Sequence, residues 1–107
     1  MRIHFFVTAA FLLAYPISAN CHTHVSPDGA TVTWYPNDCC HDHDCRPVAT
    51  VRPTAHGLWM TTVDGLTVLV EANQQRRPSL DMRWHICLGK DAYENTIVEC
   101  LFEPPST

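Results

Sequence analysis

The stretch Trp34-Tyr35-Pro36-Asn37-Asp38-Cys39-Cys40-His41-Asp42-His43-Asp44-Cys45-Arg46-Pro47 holds half of the chain's 6 cysteines, with two histidines and three aspartates. Pro36 and Pro47 bracket it, and proline lacks the N–H that a helix interior needs, so no regular helix can order the whole stretch. Covalent bridges or a metal ion must do so. Whether Cys39, Cys40 and Cys45 are disulfide staples or metal ligands decides what kind of fold this is, and the rest of the chain argues for staples.

The first argument is compartment. Met1-Arg2-Ile3-His4 is a short basic start, and Phe5 to Tyr15 is an apolar run relieved only by Thr8. Pro16-Ile17-Ser18-Ala19 then supplies a helix break and a small residue at the cut. This is the three-part plan of a secretory signal peptide over residues 1–19. The run is shorter than the about 20 apolar residues that a membrane-spanning helix needs, and no later segment approaches that length. The mature chain, residues 20–107, is therefore expected to be periplasmic or secreted and to have no transmembrane segment. A lipid anchor on Cys21 is the competing expectation, but Asn20 stands where a small residue would precede an acylated cysteine.

Cleavage leaves 107 − 19 = 88 residues, enough for one domain with a modest core. All 6 cysteines survive it. An even set of cysteines in a short exported chain reads as a disulfide framework, with each bridge worth about 2–4 kcal/mol. Adjacent Cys39 and Cys40 are not expected to bridge each other, because the peptide between them would be strained. Of the roughly 15 connectivities open to six cysteines, about 12 remain. Cys87 and Cys100 are natural distant partners for the Cys39-Cys40 pair, with Cys21 and Cys45 completing the set. The chain has no Cys-x-x-Cys, which argues against a thiol oxidoreductase.

Around the cysteines the chain reads as strands. Pro27-Asp28-Gly29 is a turn signal, and Ala30 to Tyr35 is β-prone and stopped by Pro36. Val48 to Val51 fits a short strand, and Pro47 and Pro53 on either side predict an edge position. Gly57 to Val63 and Leu66 to Glu71, joined by Asp64-Gly65, predict a hairpin with a type I′ turn. Ala72 to Leu80 reads as a loop, while Met82 to Leu88 and Thr96 to Phe102 predict a final antiparallel pair. Asp91 to Asn95 fits a single turn, and no run suits a stable amphipathic helix. The expected fold is all-β, a small disulfide-stapled domain of antiparallel hairpins.

A metal site is the alternative use of the same residues. Cys39, His41, His43 and Cys45 alternate, so on an extended strand they share one face. The outer two would then lie about 20 Å apart, far beyond the about 2.0–2.3 Å ligand distances of zinc. His41 and His43 alone form a two-ligand pair that needs a third from His22, His24, His56 or His85. If cleavage follows Ala19, Asn20-Cys21-His22 also offers an amine, two backbone nitrogens and an imidazole in a square plane, which suits Cu²⁺ or Ni²⁺, with His24 assisting. The plainer expectation is that His41 to Asp44 are a solvated loop between bridged cysteines, with no cofactor.

Other chemistry finds little support. Seven basic against 11 acidic residues, without a basic run, make nucleic acid and anionic membranes unexpected partners. No nucleophile elbow or zinc-protease helix occurs. His85 sits between Trp84 and Ile86, where a core histidine is the simpler reading. Trp34, Trp59 and Trp84 are expected to fill the core rather than line a ligand groove.

Trp34-Tyr35-Pro36, Cys39-Cys40, Asp44-Cys45 with Pro47-Val48, His85-x-Cys87, and Cys100-Leu101-Phe102 with Pro104-Pro105 together resemble a family of small exported proteins of Gram-negative α-proteobacteria. The resemblance spans nearly the whole mature chain. It implies export and a shared compact fold, and it implies no particular activity. Members often carry a histidine two places before Trp-Tyr-Pro, where this chain has Val32, and Cys21 is not part of the pattern, so neither a role for that histidine nor a borrowed bridge scheme carries over. The expectation is a non-enzymatic binding or structural module for an envelope or extracellular ligand, with a periplasmic copper- or zinc-binding protein as the alternative.

Overall fold

A computed structural model describes residues 24–40 and 44–106. Residues 1–19, expected to be a signal peptide, and Cys21, His22, His41, Asp42 and His43 lie outside the described residues. Those that are described form a small all-β, disulfide-stapled domain. Its strands are β1 His24–Val25, β2 Thr31–Val32, β3 Asp44–Thr54, β4 Gly57–Thr62, β5 Thr67–Glu71, β6 Arg76–Pro78, β7 His85–Lys90 and β8 Thr96–Glu103, with a one-turn helix, α1, at Asn37–Cys40. β1 and β2 form a separate hairpin, and the others pair in the order β5-β4-β3-β7-β8-β6. All neighbours are antiparallel except β6, which runs parallel to β8.

The organising strand is β3. Its first residues, Asp44 to Pro47, pair with β7, and its later ones, Val48 to Thr54, pair with β4. Val48 to Val51 keep the one-sided pairing expected of an edge, but they belong to a longer strand whose first residues lie inside the sheet. The prolines are tolerated because β3 changes partners at Pro47, and Pro53 lies in the half that pairs on one side only. At the changeover Ala49 is an extra residue between the Val48–Thr62 and Thr50–Thr61 pairs. A bulge bends the strand, and one extra residue also swaps which face every later side chain occupies. Val48 and Val51 thereby reach the same core, while Thr50 and Arg52 turn out to solvent. β8 carries a matching bulge at Glu99, which keeps that carboxylate outside while Val98 and Leu101 both pack inward.

β7 and β8 bury both faces. On one, Cys87, Cys100 and Phe102 meet Val32, Tyr35, Cys39, Cys40 and Cys45, with Trp34 packed alongside. On the other, Ile86, Leu88 and Leu101 meet Val48, Met60 and Val70. A strand covered on both sides reads as a near-continuous apolar run, which explains why β7 is buried from His85 to Gly89.

Two bridges lock this arrangement. Cys45 and Cys87 stand directly opposite in the β3–β7 register and are joined. Cys39 on α1 is joined to Cys100 on β8, with Cα atoms 5.7 Å apart. Cys40 is also disulfide-bonded. The Cys39–Cys100 bridge fits the expected pairing, but the pairing of Cys45 with Cys21 is overturned: strand register places Cys45 opposite Cys87, and the two are bridged.

Local expectations met the same kind of correction. The predicted strand at Ala30 to Tyr35 shortens to Thr31–Val32, because Trp34 and Tyr35 leave it to enter the core. Part of the predicted loop at Ala72 to Leu80 is β6, an edge strand on which Pro78 is tolerated. The predicted strand from Met82 begins only at His85. The Asp64-Gly65 connection is a three-residue loop rather than a type I′ turn: Gly65 N–H donates to Thr62 O at 2.9 Å, Thr62 N–H donates to Leu66 O at 2.8 Å, and Gly65 takes φ 91°. Thr62 Oγ1 favours the longer loop by donating to Asp64 Oδ1 at 2.5 Å and accepting from Leu66 N–H at 2.9 Å.

Gly57 is required where β4 begins. Its φ is 141°, and a Cβ there would lie 2.2 Å from Val70 O on the paired strand. Gly57→Ala should cost about 2–3 kcal/mol in chemical denaturation, whereas Gly65→Ala, whose Cβ would meet nothing, should cost about 1 kcal/mol from φ alone. Replacing Cys45 and Cys87 together by serine should lower stability by about 2–4 kcal/mol, and an unchanged midpoint would show that the bridge adds nothing.

Candidate functional site

Three polar side chains meet inside the first core. Tyr35 Oη lies 2.7 Å from His85 Nδ1, and His85 Nε2 lies 2.7 Å from Asp81 Oδ1. His85 is fully buried on β7, Tyr35 is 1% exposed, and Asp81 reaches the surface in part. Trp34 lies edge-on to the His85 ring with centroids 4.8 Å apart. Asp81 is held in turn by Ser79 Oγ at 2.9 Å and Arg83 N–H at 3.1 Å.

The electrostatics fix the direction of each bond. Burial raises the Asp81 carboxyl pKa, but hydrogen bonds from His85, Ser79 and the Arg83 backbone outweigh it and leave the group below its ordinary value, ionised. Burial lowers the His85 pKa despite Asp81 beside it, so the ring is neutral at pH 7. A carboxylate only accepts, so Nε2–H donates to Asp81, and Nδ1 is left as the acceptor for the Tyr35 hydroxyl. Burial raises the Tyr35 pKa, which keeps that hydroxyl protonated. Along Tyr35, His85 and Asp81 every donor has its acceptor. Such a line resembles a proton relay, yet both His85 nitrogens are taken and its ring has no open surface, so it acts here as a satisfied core histidine, as its sequence context suggested.

Of the candidate metal ligands, His24, His56 and His85 fall among the described residues. His24, on β1, packs edge-on against Tyr35 with centroids 5.5 Å apart. His56 is exposed in the loop between β3 and β4. Among the described residues, no group of three or more His, Cys, Asp or Glu is placed to hold a metal ion. His22, His41 and His43 lie outside them. The cysteines in the candidate loop are bridged, which takes their sulfurs out of the ligand set.

A cleft of about 180 Å³ opens between the β1–β2 hairpin and the start of β3. Its polar wall is already internally matched: Arg46 donates to Asp64 at 2.8 Å and lies 3.5 Å from Asp44.

The outer face of β3, β4 and β5 is open in another way. Register places Arg52, Trp59 and Leu69 side by side across the three strands, and Thr50, Thr61 and Thr67 in the next row. Trp59 is 36% and Leu69 37% exposed, and Thr61 Oγ1 lies 3.1 Å from Thr67 Oγ1. Trp34 and Trp84 pack against the two cores as expected, but Trp59 does not. The reason is register: Met60, not Trp59, faces inward once the bulge at Ala49 has set the alternation.

Tyr35→Phe should cost about 1–3 kcal/mol, since it leaves the buried Nδ1 of His85 without a donor. Stability should also fall on acidification. The unfolded chain takes up a proton on His85 near pH 6.5, whereas the folded chain resists it to lower pH, so this contribution is complete above 6.5 and lost below it. Denaturation midpoints between pH 7.5 and 5 should fall more for wild type than for His85→Gln; equal losses would contradict the assignment.

Comparison with known proteins finds no family model, no curated protein and no solved structure that matches the chain, so the functional reading rests on its own geometry.

Proposed function

We propose that this is an exported, non-enzymatic binding module of the cell envelope or extracellular space. The observation that carries the reading is a contrast within one stapled sheet. The groups capable of acid–base chemistry, Tyr35, His85 and Asp81, complete one another inside the core, while the outer face of β3-β4-β5 leaves an aromatic, an aliphatic and a cationic side chain open in a row. Two disulfides support export, since such bridges persist in oxidising compartments. They also support binding by a rigid surface, because little ordering entropy is then left to oppose association.

The test is co-sedimentation of the oxidised protein with insoluble envelope and extracellular-matrix fractions. Depletion from the supernatant that Trp59→Ala abolishes, with no soluble product released from the fraction, is the expected result. Product release would make the protein an enzyme, and depletion indifferent to Trp59 would move the binding surface elsewhere.

A further inference from the structure

We infer that the outer face of β3-β4-β5 binds an acidic polysaccharide, a chain of sugar rings bearing carboxylates, with Trp59 as the stacking platform and Arg52 as the carboxylate partner. The inference rests on the binding-module reading and names its ligand.

Charge is the first argument. Among the described arginines, Arg46 pairs with Asp64, Arg76 with Glu103, Arg77 with Asp38 and Arg83 with Asp28. Arg52 has no ion pair, although the chain holds 11 acidic against 7 basic residues. It is exposed, and it stands directly opposite Trp59. A guanidinium presents a planar fork of donors that matches a carboxylate in two parallel hydrogen bonds.

Trp59 is the second argument. It lies on the central strand of the three, so its ring has a neighbour on each side, Arg52 on β3 and Leu69 on β5, about 5 Å away across the sheet. The face of an indole is electron-rich, and the C–H bonds on one side of a pyranose ring carry the complementary positive edge. Leu69 extends the apolar strip for a second ring.

Hydroxyl chemistry is the third. Thr50, Thr61 and Thr67 form a row beside that strip, and each hydroxyl both donates and accepts, as sugar hydroxyls do. Glu71, exposed at the far end of β5, accepts only, so the group that faces it is a ring hydroxyl and the carboxylate contact stays at Arg52. A nucleic acid or an anionic bilayer would need several cations, and this face offers one. A peptide strand would add to a sheet edge, not lie on this face.

Isothermal titration of the oxidised full chain with polygalacturonate, with its fully methyl-esterified form and with dextran tests the inference. Wild type should bind polygalacturonate about tenfold or more tightly than the esterified polymer, and added salt should narrow the gap. Arg52→Gln should erase the preference yet keep weak binding to both. Trp59→Ala should lose binding to all, and Trp59→Tyr should retain part of it. Both positions are exposed, and unchanged thermal melts would confirm that the variants fold. Equal affinity for acidic and esterified polymer overturns the acidic ligand class. No affinity for any of the three polymers, alongside Trp59-dependent sedimentation with envelope fractions, overturns the inference and leaves the binding module standing. Absence of both removes both.

Discussion

The structure depends on the register between β3 and β7, where Cys45 faces Cys87 and the two are joined. That bridge fixes the first half of β3 to the strand that both cores share. The bulge at Ala49 then turns the second half away to begin another layer. If the register slipped by one residue, every side chain of β3 would change face, and Val48 and Val51 would leave the core as Arg52 entered it. A chain of this size has only a modest core to specify the register, and the covalent link reinforces it.

A repeated turn device finishes what the bridges begin. Ser26-Pro27-Asp28-Gly29, Thr62-Val63-Asp64-Gly65 and Ser79-Leu80-Asp81-Met82 each place a hydroxyl against the aspartate two residues on, and a positive φ at the fourth position. Each aspartate then reaches a different base: Asp28 reaches Arg83, Asp64 reaches Arg46, and Asp81 reaches His85. The Asp28 carboxyl is held near a pKa of about 2 by Ser26, the Ala30 N–H and Arg83. The two arginine pairs are exposed and contribute little stability individually. What they do is aim loops, and the third aims the buried histidine. Met82 occupies with φ 67° the place that glycine holds in the other two.

Legibility in the sequence followed the range of the interactions. Strand composition and turn residues are local, so the all-β class, the β4–β5 hairpin and the final antiparallel pair could be read from the chain. The bulges left a trace as well: Val48 with Val51 and Val98 with Leu101, apolar pairs three apart in β-prone runs, break the alternation of a plain strand. Read that way, they would have turned Trp59 outward and made β3 more than a short edge. The Ser79-x-Asp81 spacing, set beside Ser26-x-Asp28 and Thr62-x-Asp64, would have marked Asp81 as a turn carboxylate. Nothing local brings Tyr35 to His85 across 50 residues, or sets Cys45 against Cys87 rather than Cys21, because those contacts are decided by which strand β3 joins.

Disulfide mapping tests the account at its root: digestion of the unreduced protein under acidic conditions that prevent exchange, then mass spectrometry of the linked peptides. The account predicts one linked pair containing Cys45 and Cys87 and another in which Cys39 is joined to Cys100. A peptide joining Cys45 to Cys21, or Cys87 to Cys40, would contradict it, since β3 and β7 could not then hold the register that gives the sheet its two faces.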